Sequence, residues 1–156
     1  MKCELESSGS MLAETTKTNL PRVLLADDHQ IILDTESQIL ASEFHIVGTV
    51  RNGAAVLVAA AELDPDVITL DITMPEVDGL EVARRLKASG TRAKIVFLTV
   101  HEDPDFIREA LNVGALGYIV KATMASDLTR SLHAVLKGQP FISPSLRFNI
   151  TSHPKN

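Results

Sequence analysis

Five short apolar runs, Val23–Ala26, Ile46–Val50, Val67–Leu70, Ile95–Leu98 and Tyr118–Val120, recur along the chain with helical patterns between them. They lack the in-out alternation of a strand with one wet face, so helices should cover both sides of the sheet they build. Strands alternating with helices of this length predict an α/β fold with a parallel, doubly wound sheet. Punctuation agrees: Asn52-Gly53, Asp78-Gly79 and Asp103-Pro104 supply helix starts, and Gly90 and Gly138 supply helix ends.

Around that pattern the chain divides into three. Residues 1–20 are polar and aperiodic up to Pro21, as in a disordered leader, with Met11 an alternative start. Residues 21–138 form one domain, and 156 residues at 45% hydrophobic leave no room for a second of full size. Residues 139–156 read as a Pro-punctuated tail without the periodicity of a helix-turn-helix.

The formal charge of −5 and the lack of a Lys/Arg cluster argue against a direct nucleic-acid partner. Cys3 is the sole cysteine, so neither a disulfide framework nor a cysteine metal site is available. No apolar run reaches membrane-spanning length, and Glu4 and Glu6 stand where a signal peptide would need apolar residues. A cytoplasmic protein without membrane contact is expected.

The chemistry-bearing residues follow the strands. Parallel strands deliver their C-terminal ends to one rim, so Asp27-Asp28, Asp71, Thr99 and Lys121 should become neighbours there. Adjacent carboxylates repel unless a cation sits nearby, which suits a hard divalent ion; the other reading is that Asp28 simply caps the next helix. Asp71 can act as an oxygen nucleophile toward phosphorus if a metal screens the anions, or can merely hydrogen-bond loop amides. Thr99 offers a hydroxyl and Lys121 a point charge for phosphoryl oxygens, though each is commonplace alone. The five histidines have no metal-ligand spacing, so a histidine-based site is not expected.

The segments Leu24-Leu25-Ala26-Asp27-Asp28-His29, Asp66 to Pro75 and Ala115 to Lys121 resemble the receiver domain of bacterial two-component response regulators, and most of all receivers that precede a LuxR-type DNA-binding domain. The likeness spans about Arg22 to Gly138. It implies a flavodoxin-like (βα)5 fold with strand order 2-1-3-4-5. It further implies that Asp71 accepts a phosphoryl group from a histidine kinase or phosphotransfer protein. Asp28, Asp71 and the Thr73 backbone carbonyl would hold Mg2+, or Mn2+ in its place, and Asp27 would act through a metal-bound water. Thr99 and Lys121 would bind the phosphoryl oxygens. Tyr118 would be the aromatic switch that turns inward as Thr99 is drawn to the phosphate. A downstream protein, or a second copy of the chain, would read the face of the fourth helix, fifth strand and fifth helix.

Several residues depart from the family pattern. Val100 stands where many receivers carry a small residue and should slow both phosphoryl entry and loss. Thr73 and His101 occupy the positions that tune self-dephosphorylation, and Ala122 replaces the usual Pro after the lysine, leaving that peptide's isomer open. In the first helix Ile32, Ile39 and Leu40 can share an inward stripe, with Ile31 and Leu33 at its flanks either as a partner-docking surface or as a wider core. Two other functions compete. A haloacid-dehalogenase-type, Mg-dependent aspartyl-phosphate phosphatase would need a general acid two residues after Asp71, where Thr73 stands. The other alternative to a single-domain response regulator, which is the expected function, is the receiver fragment of a longer transcription regulator.

Overall fold

The computed structural model describes residues 19–146; residues 1–18 of the proposed leader and the end of the proposed tail lie outside these. The elements run β1 (Arg22–Ala26), α1 (Gln30–Leu40), β2 (His45–Val50), α2 (Gly53–Leu63), β3 (Val67–Leu70), α3 (Gly79–Ser89), β4 (Lys94–Thr99), α4 (Pro104–Asn112), β5 (Gly117–Val120), a 3-10 turn (Lys121–Thr123), α5 (Met124–Leu136) and β6 (Phe141–Ile142). The sheet is parallel in order β2-β1-β3-β4-β5-β6, so the expected 2-1-3-4-5 arrangement is present with one strand added. This is the flavodoxin-like fold.

Alternation along each buried strand sends successive side chains to two cores. Leu24, Ile68, Leu70, Ile95 and Phe97 pack with Val56 of α2, Val82 of α3 and Ile107 of α4. Val23, Leu25, Val67, Val96 and Leu98 pack with Leu33 of α1 and Leu128 and Leu132 of α5. Helices therefore cover both faces, which is why the sequence shows continuous apolar runs.

The helix starts are those the sequence marks. Asn52, Asp78 and Asp103 accept hydrogen bonds from the amides of Ala55, Glu81 and Asp105 at 2.8, 2.9 and 2.8 Å, satisfying donors that a helix cannot pair internally. Gly90 ends α3 at φ 82°, a left-handed conformation that favours glycine. Asp28 does not cap α1; His29 occupies that place without a side-chain cap bond.

Two expectations need correction. The inward stripe of α1 is Leu33, Glu36 and Leu40, with Ile32 and Ile39 only partly buried. Leu33 is thus a core residue and no docking surface, whereas Ile31 is 73% exposed. The phase was misplaced because Glu36, a charged residue by type, sits on the buried face.

The folded unit also runs past Gly138. Phe141 and Ile142 pair in parallel with Gly117 and Tyr118, and Leu146 is fully buried. Ser143 fixes this return: its hydroxyl donates to Asp127 at 2.8 Å and accepts the Val120 amide at 3.2 Å. Two hydrophobic residues are too few to read as a strand, so only the tertiary pairing makes one.

Candidate functional site

The main-chain ladder continues one residue beyond the strands and sets the acidic residues in register. The Asp27 amide donates to the Val50 carbonyl and the Asp71 amide to the Ala26 carbonyl, both at 3.1 Å. Both carboxylates are buried, and Lys121 lies between them, its ammonium 2.7 Å from Asp27 Oδ2 and 2.9 Å from Asp71 Oδ2. Burial pulls the Lys121 pKa down, but the adjoining Asp27 and Asp71 carboxylates outweigh it and hold the ammonium above its ordinary value. Lys121 opens the 3-10 turn after β5, and every peptide bond among the described residues is trans, including Lys121–Ala122.

Carboxylate oxygens of Asp27, Asp28 and Asp71, with His29 at the rim, lie within 4.8 Å of one another. His29 is the one histidine here: Nδ1 stands 3.1 Å from Asp27 Oδ1 and 3.0 Å from Asp28 Oδ1. Asp27 Oδ2 and Asp28 Oδ1 are buried without an aligned hydrogen-bond donor. For Asp27 the nearby Lys121 ammonium therefore contributes charge rather than a well-directed bond. Buried oxygens left over in this way, all from carboxylates, fit a hard divalent cation such as Mg2+ or Mn2+.

Thr99, fully buried, ends β4 beside this pocket. Its Oγ1 accepts the His101 amide at 3.4 Å, and the Tyr118 hydroxyl donates to the His101 carbonyl at 2.8 Å. Tyr118 is therefore already turned inward, with its hydroxyl bonded to protein rather than to water. Burial, then the charge of Asp71, pushes its pKa well above the usual tyrosine value. The His101 ring stacks on Phe106 at 4.3 Å, and its Nε2 meets Thr73 Oγ1 at 2.8 Å. The Thr73 amide points to Asp71 Oδ1 at 3.4 Å. Val100 stands at the rim, 66% exposed.

Two residues near the site escaped sequence reasoning. A Cβ on Gly79 would overlap the Asp71 carbonyl oxygen, so this glycine lets the α3 start pack against the acceptor's own backbone. The Asp-Gly pair signalled a turn but not that contact. Glu36 lies beneath the pocket, its carboxylate accepting the Thr69 hydroxyl at 2.8 Å. Its only signal was a charge three residues from both Leu33 and Ile39.

The loop after β3 also carries backbone strain. Glu76 has φ 72° and the Val77 amide bonds the Pro75 carbonyl at 2.9 Å, which makes a γ-turn between Asp71 and α3.

A family model described as the response regulator receiver domain matches residues 23–133. The chain is similar to the response regulator GacA of Pseudomonas viridiflava, 35% identical over 127 residues that cover 80% of this chain and 59% of that protein. It is 31% identical to the transcriptional regulatory protein DegU of Brevibacillus brevis over 139 residues, 88% of this chain and 59% of the relative. The chain thus spans about three-fifths of the length of these curated relatives. Among solved structures, a two-component response regulator of the LuxR family from Aurantimonas superposes with a TM-score of 0.82 at 25% identity, covering 86% of this chain and 98% of that one. The receiver domain of the putative response regulator NarL from Mycobacterium tuberculosis gives 0.74 at 27% identity, covering 77% and 98%. The order of strands, the buried aspartates joined by one lysine and these matches agree: the chain belongs to the response regulator receiver domain family.

Proposed function

We propose that the chain is a phosphorylation-controlled signalling module in which Asp71 accepts a phosphoryl group from a histidine kinase or phosphotransfer protein. The observation that carries this reading is Lys121 held between two buried carboxylates, Asp27 and Asp71, at 2.7 and 2.9 Å. Such an ammonium is placed to leave the Asp71 carboxylate for a new phosphoryl oxygen. An Asp71 oxygen attacks phosphorus while the phosphorus–nitrogen bond to the donor histidine breaks. Asp28, Asp71 and the Thr73 carbonyl would hold Mg2+ or Mn2+, with Asp27 acting through a bound water. The cation, when bound, neutralises charge gathering on the phosphoryl oxygens. Thr99 donates its hydroxyl to one of them.

The same hydroxyl offers a route to the surface. Thr99 touches the His101 amide and Tyr118 holds the His101 carbonyl, so turning Thr99 toward a phosphoryl group disturbs the bonds that place both loop and ring. A downstream protein, or a second copy through α4, β5 and α5, would read the change. A partner there meets β6 instead of a bare β5 edge. Exposed Ile31 remains as kinase contact, and residues 21–138 as the core of the receiver, completed by β6. The cytoplasm is the compartment where such a donor is found. Response regulator receivers are signalling domains, and Thr73 offers no general acid for the phosphatase alternative.

Intact-mass analysis after incubation with acetyl phosphate and Mg2+ tests the proposal. One phosphoryl adduct is expected, absent in Asp71→Asn; an adduct that persists in the variant would remove Asp71 from its role. The matched relatives are longer, which favours a second reading in which these residues are the receiver of a larger transcription regulator. The mass of the intact gene product separates the two.

A further inference from the structure

Glu36 is a buried acid that phosphoryl transfer, as derived above, does not use. It stands on the inward face of α1, and its one hydrogen bond is the one accepted from Thr69. Thr69 pairs in register with Leu25, and each lies two residues before an aspartate of the pocket, Asp71 and Asp27. Side chains two apart on a strand share a face, so Glu36 sits one layer below both carboxylates. The charges it feels are Asp27, Lys121 and Asp71, the pocket itself. Across from α1, the buried positions of α5 carry one charge, Asp127, already satisfied by Thr123 and Ser143. Asp28 and His29 stand at the pocket rim. Burial, helped by Asp27 and opposed by the Thr69 bond, pushes the carboxyl up to about 8, so at neutral pH it is an uncharged acid.

We propose that Glu36 holds a proton that is released when a divalent cation enters the Asp27–Asp28–Asp71 pocket, linking cation affinity to pH through a carboxyl that does not touch the cation. This rests on the reading of the pocket as a cation site. Two carboxylates, Asp27 and Asp71, against one ammonium make the potential at Glu36 negative and, with its burial, keep its proton on. Two added positive charges reverse that preference. By reciprocity, ionising Glu36 strengthens cation binding by the same factor. Glu36 is thus a positioning group for charge.

Calorimetric titration of the full chain with Mg2+, in two buffers of different ionisation enthalpy, counts the protons released. At about pH 7.5 the native chain should release about half a proton per cation bound, and its affinity should rise about threefold or more between about pH 7 and pH 9. Glu36→Gln, which keeps an acceptor for Thr69, should release little and show a nearly flat affinity. Equal release in both chains would trace the proton to another group, such as His29, and overturn the proposal. Should the variant fail to fold, the side-chain carboxyl 13C shift of Glu36 in the native chain decides. A midpoint above neutrality that falls on adding Mg2+ supports the linkage, and an ordinary or Mg2+-insensitive midpoint rejects it. Absence of Mg2+ binding would overturn the cation site as well, whereas binding without proton release overturns the linkage alone.

Discussion

Without the Lys121 ammonium, Asp27 and Asp71 would face each other as buried anions. Lys121→Met should destabilise the cation-free chain by about 3 kcal/mol, because breaking a buried pair leaves uncompensated charge. Mg2+ should return part of that loss. Urea melts with and without the ion check both statements; an equal loss in the two would mean that lysine and cation serve different carboxylates. Glu36 acts on stability in the opposite direction from a paired carboxylate. Its acid form persists in the folded chain up to about 8, against an ordinary 4.5. Between these values the folded state keeps a proton that the unfolded chain has lost, so stability declines as pH rises through that window. Glu36→Gln should flatten the decline and raise the melting temperature more at about pH 8 than at about pH 5. A constant difference across that range would show that Glu36 ionises normally.

Among the elements, β6 and the start of α3 do more than their lengths suggest. Ser143 joins β6 to Asp127 on α5 and to the Val120 amide, the residue immediately before Lys121. Ser143→Ala should cost about 1–3 kcal/mol by leaving buried polar groups without partners, and should speed amide exchange at Val120. Unchanged exchange there would mean that β5 holds its end without help from β6. At α3 the contrast lies between neighbours. Asp78→Ala removes only a cap, costing about 1 kcal/mol and leaving the adduct on Asp71 intact. Gly79→Ala drives a methyl group into the Asp71 carbonyl and should reduce the yield of adduct in intact-mass analysis. Similar yields from the two variants would count against the close packing as a condition of phosphorylation.

For the whole molecule, the rim is the place where five crossover segments meet and where charge is concentrated. A cation that binds this rim only when it is assembled must stabilise the fold by mass action. At a concentration about a hundred times its dissociation constant, Mg2+ should add about 2.7 kcal/mol, read as a rise in the melting temperature. Asp28→Asn should lose most of that rise. The two cores on either side of the sheet are apolar and indifferent to the ion, so the gain should come from the rim alone.

The sheet was legible because burial on both faces leaves an unmistakable trace, runs such as Val23–Ala26 and Val67–Leu70 with no polar interruption but Thr69. The caps were legible because Asn52, Asp78 and Asp103 act on amides two or three residues away. Asp27, Asp71, Thr99 and Lys121 could be gathered on one rim because strand ends in a parallel sheet share a direction. Contacts between distant segments left no such trace. The inward turn of Leu33 and Glu36 left no such trace because helix phase depends on what faces the helix, and a buried carboxyl is tolerated only where Thr69 and the pocket surround it. Phe141 and Ile142 become a strand solely because β5 presents an edge, and the closeness of Gly79 to Asp71 exists only once α3 has folded back on its loop. Local chemistry determined which elements form and which residues could react; long-range packing decided how each side chain is charged, bonded and buried.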